Sequence, residues 1–357
     1  MRHTRSSVTA VIIASTMLVS AACTGSSGSE PTATPAPITT PAPTKSSPPS
    51  KPKPKPKAPH KNWYTGIGPV PKRSTIAVKI DDTAPGRPQV GINKADIVFV
   101  EAVEGGLTRL AAIFGTNKPK AVGYVRSTRP SDPDLLRQFG KITEAYSGGA
   151  HDSLPRVHRA GLRSWSNDAG SRFYSRRARA ASSYINLVLN LNRVATVVRT
   201  PHPHNIGWTF SRSLSGMPVQ KGFLVRTEVT GSYAHGTPVV FRYSLRLHKY
   251  VRYIDGARQI SSTGNPVAAT NVIVQKCQVH SHPRDTDING NPSQFTFTVG
   301  HGDAVIFRNG KRIDGTWTRR KLSGGTTWRT KSGKQIPLMP GNTWVILVRR
   351  GIPVYTH

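Results

Sequence analysis

Disulfide bonding is the first thing this sequence cannot supply. Its 357 residues hold two cysteines, Cys23 and Cys277. Cys23 sits where an N-terminal processing segment ends, so Cys277 has no partner and the fold must stand on packing alone. Cys277 closes the strand-like run Asn271-Val-Ile-Val-Gln-Lys-Cys277 with no activating neighbour, which makes it a core residue rather than a nucleophile. Long apolar runs are also missing: residues 8–19 are apolar but too few to span a bilayer as a stable helix. Acids are scarce, 17 Asp and Glu against 50 Lys and Arg, for a formal net charge of +33. Such a surface is drawn to polyanions, whether wall polymer, anionic lipid headgroups or nucleic acid. There is no internal repeat, no Gly-x-Ser-x-Gly elbow and no His-Glu-x-x-His helix. Gly105-Gly106 and Gly148-Gly149 are not followed by the Lys-Ser/Thr of a phosphate loop.

What is present begins with an address. Arg2 and Arg5 precede the apolar residues 8–19, and Ser20-Ala21-Ala22 lead into Cys23. Basic, apolar and small residues in that order are a secretory signal. The cysteine directly behind them resembles the lipobox of bacterial lipoproteins, whose cysteine carries a diacylglycerol and becomes the mature N-terminus. Ser20 stands where that pattern usually has Leu or Val, and cleavage after Ala22 is the competing reading. The lipid-anchored reading places residues 1–23 in a signal peptide and the rest on the outer face of the cytoplasmic membrane. That location argues against nucleic acid as partner. It leaves the membrane itself, an anionic cell-wall polymer or an envelope protein.

Residues 24–62 read as a tether. Ser, Thr, Pro and Ala give way to Lys51-Pro-Lys-Pro-Lys-Pro-Lys57, with no apolar periodicity to offset the entropy of ordering. In polyproline II such a segment reaches on the order of 100 Å. Beyond Trp63, 42 basic residues face 16 acids, so the folded part carries most of the charge.

Strand patterns at 74–80, 95–103, 107–114 and 121–126 come first. A helix is expected from Ser131 or Asp132, with Pro133 in its first turn and Gly148-Gly149 at its close, and another over 183–198. From about Ile206 the pattern turns to strands. One is expected over 241–253, apolar on one side and basic on the other. A hairpin is expected at 305–313, with Asn309-Gly310 in a type I′ turn, and a closing strand before 348. The expected fold class is α+β: an N-terminal mixed α/β domain with a sheet and helices over 63–210, then a β-rich domain over 211–357.

These segments resemble the YerB family of lipoproteins, built of two consecutive DUF3048 domains of unknown function. The resemblance rests on Ile80-Asp81-Asp82, Ala84-Pro85-Gly-Arg87-Pro-Gln89, Ala95-Asp96-Ile97-Val98, Val103-Glu104-Gly105-Gly106 with Thr108-Arg109, and Val125-Arg126-Ser127-Thr128-Arg129-Pro130. Tyr146-Ser-Gly148-Gly149 continues it, and Asn309-Gly310-Lys311, Gly315-Thr316-Trp317 and Pro340-Gly341-Asn-Thr343-Trp344 resemble the family's closing hairpins. It implies a pair of folds and a location, and no reaction. The family commonly has a Pro-His-Asn or Pro-Tyr-Asn triplet just after an arginine-rich loop. Here the loop at 172–179 lacks it, and Pro203-His204-Asn205 comes later.

Candidate chemistry gathers in the first domain. Asp81, Asp82, Asp96, Glu101 and Glu104 lie close in sequence, with Arg109, Arg126 and Arg129 near them. Such carboxylates suit a hard cation or an acid/base pair, but arginines so placed favour an ion-pair network instead. Strand ends and glycine pairs point to one ligand pocket formed by Asp81, Asp82, Glu104, Arg109, Arg126, Ser127, Arg129, Gly148, Gly149 and His151. In it Arg126 and Arg129 act as anion anchors and Glu104 holds them. His151, a possible base, and the His280/His282 pair read as solvated or adventitious, so no metal and no cofactor is expected. The favoured function is a non-catalytic binding module of the envelope. The alternative is a hydrolase or transferase using Asp81, Asp82 and Glu104 with His151.

Overall fold

The computed structural model describes residues 61–178, 182–199, 204–229 and 238–356. Cys23 and residues 24–60 of the expected tether lie outside them, as do Arg179, Ala181 and Pro203; its last two residues are folded, Lys61 bridging Pro69 and Asn62 buried. Eight strands come from the first half: β1 (Ile76–Asp81), β2 (Ile97–Ala102), β3 (Thr108–Phe114), β4 (Val122–Gly123), β5 (Thr143–Tyr146), β6 (Arg163–Ser166), β7 (Tyr174–Arg176) and β8 (Leu187–Leu189). The second half begins with β9 (Gln220–Lys221), β10 (Leu224–Thr227), β11 (Val239–Ser244), β12 (Lys249–Ile254), β13 (Ala257–Arg258) and β14 (Ala268–Ala269). It ends with β15 (Asn271–Thr286), β16 (Pro292–Phe297), β17 (Gly300–Arg308), β18 (Lys311–Arg319), β19 (Thr327–Thr330) and β20 (Thr343–Arg349). Helices are short: α1 (Asp132–Leu136), α2 (Ser153–Arg159) and α3 (Leu191–Val197).

One mixed sheet runs β19-β18-β17-β15-β20-β2-β3-β1-β5-β6, with β16 added to β15 and β9 to β18. The last strand joins the halves. Thr343 of β20 lies parallel to Asn271 of β15 on one side and to Ile97 of β2 on the other. Strands from both sides of residue 210 thus share a sheet, and the expected boundary there does not separate two sheets.

Both faces of that sheet are covered, which is why its strands are near-continuous apolar runs. Val78, Val100, Ile346 and Trp344 face a cluster with Phe241 and Tyr250 of a second, smaller sheet, β10-β11-β12-β13 with β14. Ala77, Phe99, Val345 and Leu347 face Leu135 and Leu136 of α1, Phe139 just after it, and Val157 of α2. Cys277 belongs to this second cluster, and burial pushes its thiol up to about 12. It is inert packing. The Asn309-Gly310 hairpin is as expected, with φ of 54° and 67°. Among the described residues no helix is long and apolar enough to cross a membrane.

Three expected elements differ. The run at 183–198 is not one helix: Leu187–Leu189 pair with β4 and β7, and the helix starts only after Asn190, whose side chain caps it by accepting from the Arg193 amide at 3.1 Å. The helix at Pro133 runs five residues and one further 3-10 turn, then stops at Gly140, well before Gly148-Gly149, because residues 143–146 are taken by β5. The expected strand at 241–253 is a hairpin. Residues 245–248 turn, Tyr243 pairs with Tyr250, and the register inverts, so that Arg252 is buried.

Charge is embedded in the sheet. Lys79 of β1, fully buried, pairs with Glu101 of β2 and lies 2.8 Å from Asp132 of α1. Beside them Glu144 of β5, also fully buried, accepts from the Thr128 hydroxyl at 2.6 Å. Burial, and then the charge of Asp132, push its carboxyl from 4.5 up to about 8, against the pull of Thr128 and Lys79. Unfolded, Glu144 loses its proton near 4.5; folded, it keeps it to about 8. Its stabilising effect is therefore full at low pH and lost as pH rises across that window. Urea unfolding of wild type and Glu144→Gln at a series of pH values should show this. Wild-type stability should fall relative to the variant between about pH 5 and 8.5, by on the order of a few kcal/mol. A pH-independent difference would mean that Glu144 is ionised in the folded protein.

Candidate functional site

The site begins where β1 ends. Alternation puts Asp81 on the face of Lys79 and Asp82 on the face of Ile80. Asp82 meets Arg252 of β12 in a two-pronged pair, Nη1 to Oδ1 at 2.6 Å and Nη2 to Oδ2 at 2.7 Å, and accepts from the Thr108 hydroxyl at 2.7 Å. Asp81 accepts from the Thr83 amide at 2.7 Å and lies 3.1 Å from Arg126 Nε. The chain then turns through Ala84-Pro85-Gly86. A Cβ on Gly86 would stand 2.2 Å from Asp81 Oδ1, so the turn can close on that carboxylate only with glycine.

Glu104 follows β2 in a tight turn that Gly105 and Gly106 allow with φ of 61° and 75°. Its two oxygens meet Arg129, Oε1 to Nε at 2.5 Å and Oε2 to Nη2 at 2.7 Å, and it accepts from the Ser293 hydroxyl. Burial alone would raise the Glu104 carboxyl, but Arg129, Ser293 and Arg109 together outweigh it and hold the group below its usual range.

Arg109 opens β3, opposite Asp81 on one side and Glu101 on the other. It is 8% exposed, and its hydrogen bond, Nη1 to the Ser127 carbonyl, is long at 3.4 Å. Among the described residues no carboxylate oxygen lies within ion-pair distance of it. Burial pushes its guanidinium down to about 9, with Arg129 and Arg126 adding and Glu104 and Asp81 opposing, so it is still charged at neutral pH.

These groups border a cavity of about 600 Å³ lined by Asp81, Asp82, Glu104, Arg109 and Arg126. The turn after β1, Leu107, Tyr184, Asp255 and the β15–β16 tip at 287–289 complete its wall. Five of the ten expected pocket residues therefore meet at one cavity. The other five do not line it. Ser127 contributes its backbone carbonyl to Arg109. Arg129, expected as a second anchor, stands behind Glu104 with both prongs engaged. Gly148 and Gly149 support the 126–129 loop from behind: the Gly148 carbonyl accepts from the Thr128 amide at 2.9 Å, and a Cβ on Gly149 would meet Thr128 at 2.9 Å. His151 points to solvent, its side chain 92% exposed, with Asp152 at 3.4 Å.

His280 and His282 share one face of β15 but pack on Phe297 and Phe295. Among the described residues no three His, Cys, Asp or Glu are grouped to hold a metal. Sequence reasoning missed Arg252, Asp255 and the hairpin tip. Asp255 and the tip line the cavity and Arg252 holds Asp82 beside it, each through tertiary pairing that leaves no local pattern.

Residues 64–204 match the family model described as the N-terminal domain of a protein of unknown function, DUF3048, and residues 229–345 match the corresponding C-terminal domain. The chain belongs to the YerB-like family. A relative from Bacillus subtilis strain 168, YerB, which carries the name of a lipoprotein, is 27% identical over 78% of this chain and 82% of its own. The crystal structure of the Bacillus subtilis YerB protein superposes with a TM-score of 0.69, covering 83% of this chain and 100% of that one, at 23% identity. At that identity the likeness speaks for the fold, and the α+β class agrees with it.

The two sides of the network differ in what they leave behind. Glu104→Ala strands Arg129 in the interior, which should cost about 3–5 kcal/mol in urea unfolding. Arg126→Ala removes a half-buried arginine whose partner Asp81 keeps the Thr83 amide, and it should cost clearly less. Equal losses would make Arg126 a structural member of the network.

Proposed function

We propose that this protein is an extracytoplasmic lipoprotein, held to the outer face of the cytoplasmic membrane by lipidated Cys23, whose folded region binds an anionic component of the envelope without catalysis. The sequence supports the anchor: a signal peptide runs into Cys23, and the relative that covers most of the chain is named as a lipoprotein. The observation that carries the binding role is the state of the cavity's charges. Asp81, Asp82 and Glu104 are each engaged by an arginine, whereas among the described residues Arg109 has no carboxylate within ion-pair distance. A cavity so arranged can take an anion at Arg109, and the three carboxylates of the acid/base reading are all engaged; of the other acids in its wall, Asp255 lies 3.4 Å from Arg87 and Asp287 accepts from the Asn289 and Asn291 amides. The hydrolase or transferase reading also needs His151 beside Glu104 and Arg126, and His151 lies outside the cavity wall. The basic outer surface supports a wall polymer, a glycan bearing acid groups or an acidic partner protein as the source of the anion.

Fractionation followed by binding tests both halves of this reading. Cys23→Ala should move the protein from the membrane fraction to the soluble fraction or medium. The released protein should co-sediment with purified wall fractions in a salt-dependent way, and Arg126→Ala should weaken that at least severalfold. Detergent-requiring membrane association of the Cys23 variant removes the anchor. Wall binding unaffected by Arg126→Ala removes the cavity from the function.

A further inference from the structure

Two buried arginines show what Arg109 lacks. Arg308 is fully buried without a carboxylate, and the fold gives it the carbonyls of Pro337 at 2.7 Å, Ser211 at 2.6 Å and Arg212 at 3.0 Å. Arg319, equally buried, has the carbonyls of Gly324 at 2.9 Å, Asp134 at 2.6 Å and Leu322 at 2.5 Å, and the Thr298 hydroxyl at 2.9 Å. This chain thus surrounds a buried guanidinium with acceptors wherever it needs one for structure alone. Among the described residues Arg109 has a single long hydrogen bond, and it lines the cavity. A planar guanidinium with N–H groups left open in a cavity wall is a receptor for a carboxylate or phosphate oxygen pair. Arg126, on the same wall, adds a second cation.

The rim is of another character. Leu107 is 42% exposed, Tyr184 65% and Ile288 100%, and all three line the cavity. They come from three separate elements: the turn between β2 and β3, the loop between β7 and β8, and the tip of the β15–β16 hairpin. Single exposed apolar residues are ordinary, but three that line one cavity together with a buried cation make an apolar face beside it. Acids are present too. Asp255 lies 3.4 Å from Arg87, and Asp287 is held by the amides of Asn289 and Asn291, both at 2.9 Å. Neither competes for Arg109.

We infer that the cavity seats the head of an acidic lipid: one phosphate or carboxylate on the Arg109 and Arg126 guanidinium groups, with the apolar body lying along Leu107, Tyr184 and Ile288. This rests on the proposed anion-binding role and names the class of ligand. Its volume, about 600 Å³, admits a headgroup and the first part of a chain. The partner reading of a wall polymer at this cavity becomes one outcome of the test.

Isothermal titration of the full chain carrying Cys23→Ala decides it, using three probes below their aggregation limits: dihexanoyl phosphatidic acid, dihexanoyl phosphatidylcholine and inorganic phosphate. The phosphatidic acid should bind with one-to-one stoichiometry, at least about tenfold tighter than inorganic phosphate, because burying two methylenes is worth roughly that factor. The choline lipid should bind at least tenfold more weakly than the phosphatidic acid. Arg109→Gln should abolish saturable binding. If that variant fails to fold, the double change of Leu107→Ser and Ile288→Ser, both exposed, should instead bring the phosphatidic acid down towards inorganic phosphate. Equal binding of both lipids overturns the inference, as would a phosphatidic acid that binds no better than phosphate. In that second case the anion reading stands, since phosphate still binds through Arg109. If no probe binds while wall fractions are retained through Arg126, the ligand is a wall polymer and the lipid is excluded. If nothing binds at all, the proposed function falls with it.

Discussion

The structure depends on where its last strand lies. β20 is hydrogen-bonded in parallel to β15 on one side and to β2 on the other, so the sheet is incomplete in either half alone. A strand with parallel neighbours on both sides must be covered on both faces, and residues 344–348 are buried throughout. That burial demands α1 and α2 on one face and the β10–β14 sheet on the other. The two family domains, 64–204 and 229–345, are thus separate in sequence but continuous in hydrogen bonding. The cavity follows from the same constraint. Bringing β12 and the β15–β16 hairpin over the ends of β1 and β2 pairs Asp82 with Arg252 and Glu104 with Ser293.

The shortage of acids takes on a different meaning once their positions are known. Of the 16 beyond Trp63, Asp81, Asp82, Asp96, Glu101, Glu104, Asp132, Glu144 and Asp285 are buried, which is half of them. Each meets arginine, lysine, hydroxyl or backbone donors inside, as Asp96 does with the amides of Gly115 and Thr116, both at 2.7 Å. The outer surface is therefore more one-sidedly basic than composition alone implies. A molecule built this way holds its own acids close and presents cations to its surroundings.

How much of this was legible follows from the range of each interaction. β1, β2 and β3 could be read because doubly covered strands are continuous apolar runs, and the Asn309-Gly310 hairpin because a type I′ turn needs positive φ. Residues 183–198 misled because Leu187-Val188-Leu189 fits either a helix face or a buried strand, and pairing with β4 and β7 decided between them. Arg252 misled for the same reason: an arginine in an alternating strand reads as solvent-facing until a carboxylate 170 positions away is brought to it. In the site, strand ends and turn glycines gave Asp81, Asp82, Glu104, Arg109 and Arg126 a common location. What the pattern could not rank was which arginine stays unpaired. Arg129 and Arg109 look alike in sequence, and only the reach of Glu104 separates them.

That difference bears on how strongly an anion can be held. An arginine on an open surface must shed water before it grips a ligand, and the gain is small. Arg109, 8% exposed, has already lost most of its water in the folded protein, held there by the packing of β3 between β1 and β2. Its desolvation cost is met when the chain folds, with the stability of the shared sheet behind it, and not when the ligand arrives. An incoming phosphate or carboxylate then finds a preorganised donor in a low-dielectric wall, where each charge-assisted bond counts for more than it would in solvent. The same cost explains why the Nη groups of Arg252, Arg308 and Arg319 all meet acceptors. A fold can carry one dehydrated guanidinium without a partner when a ligand completes it, but not several.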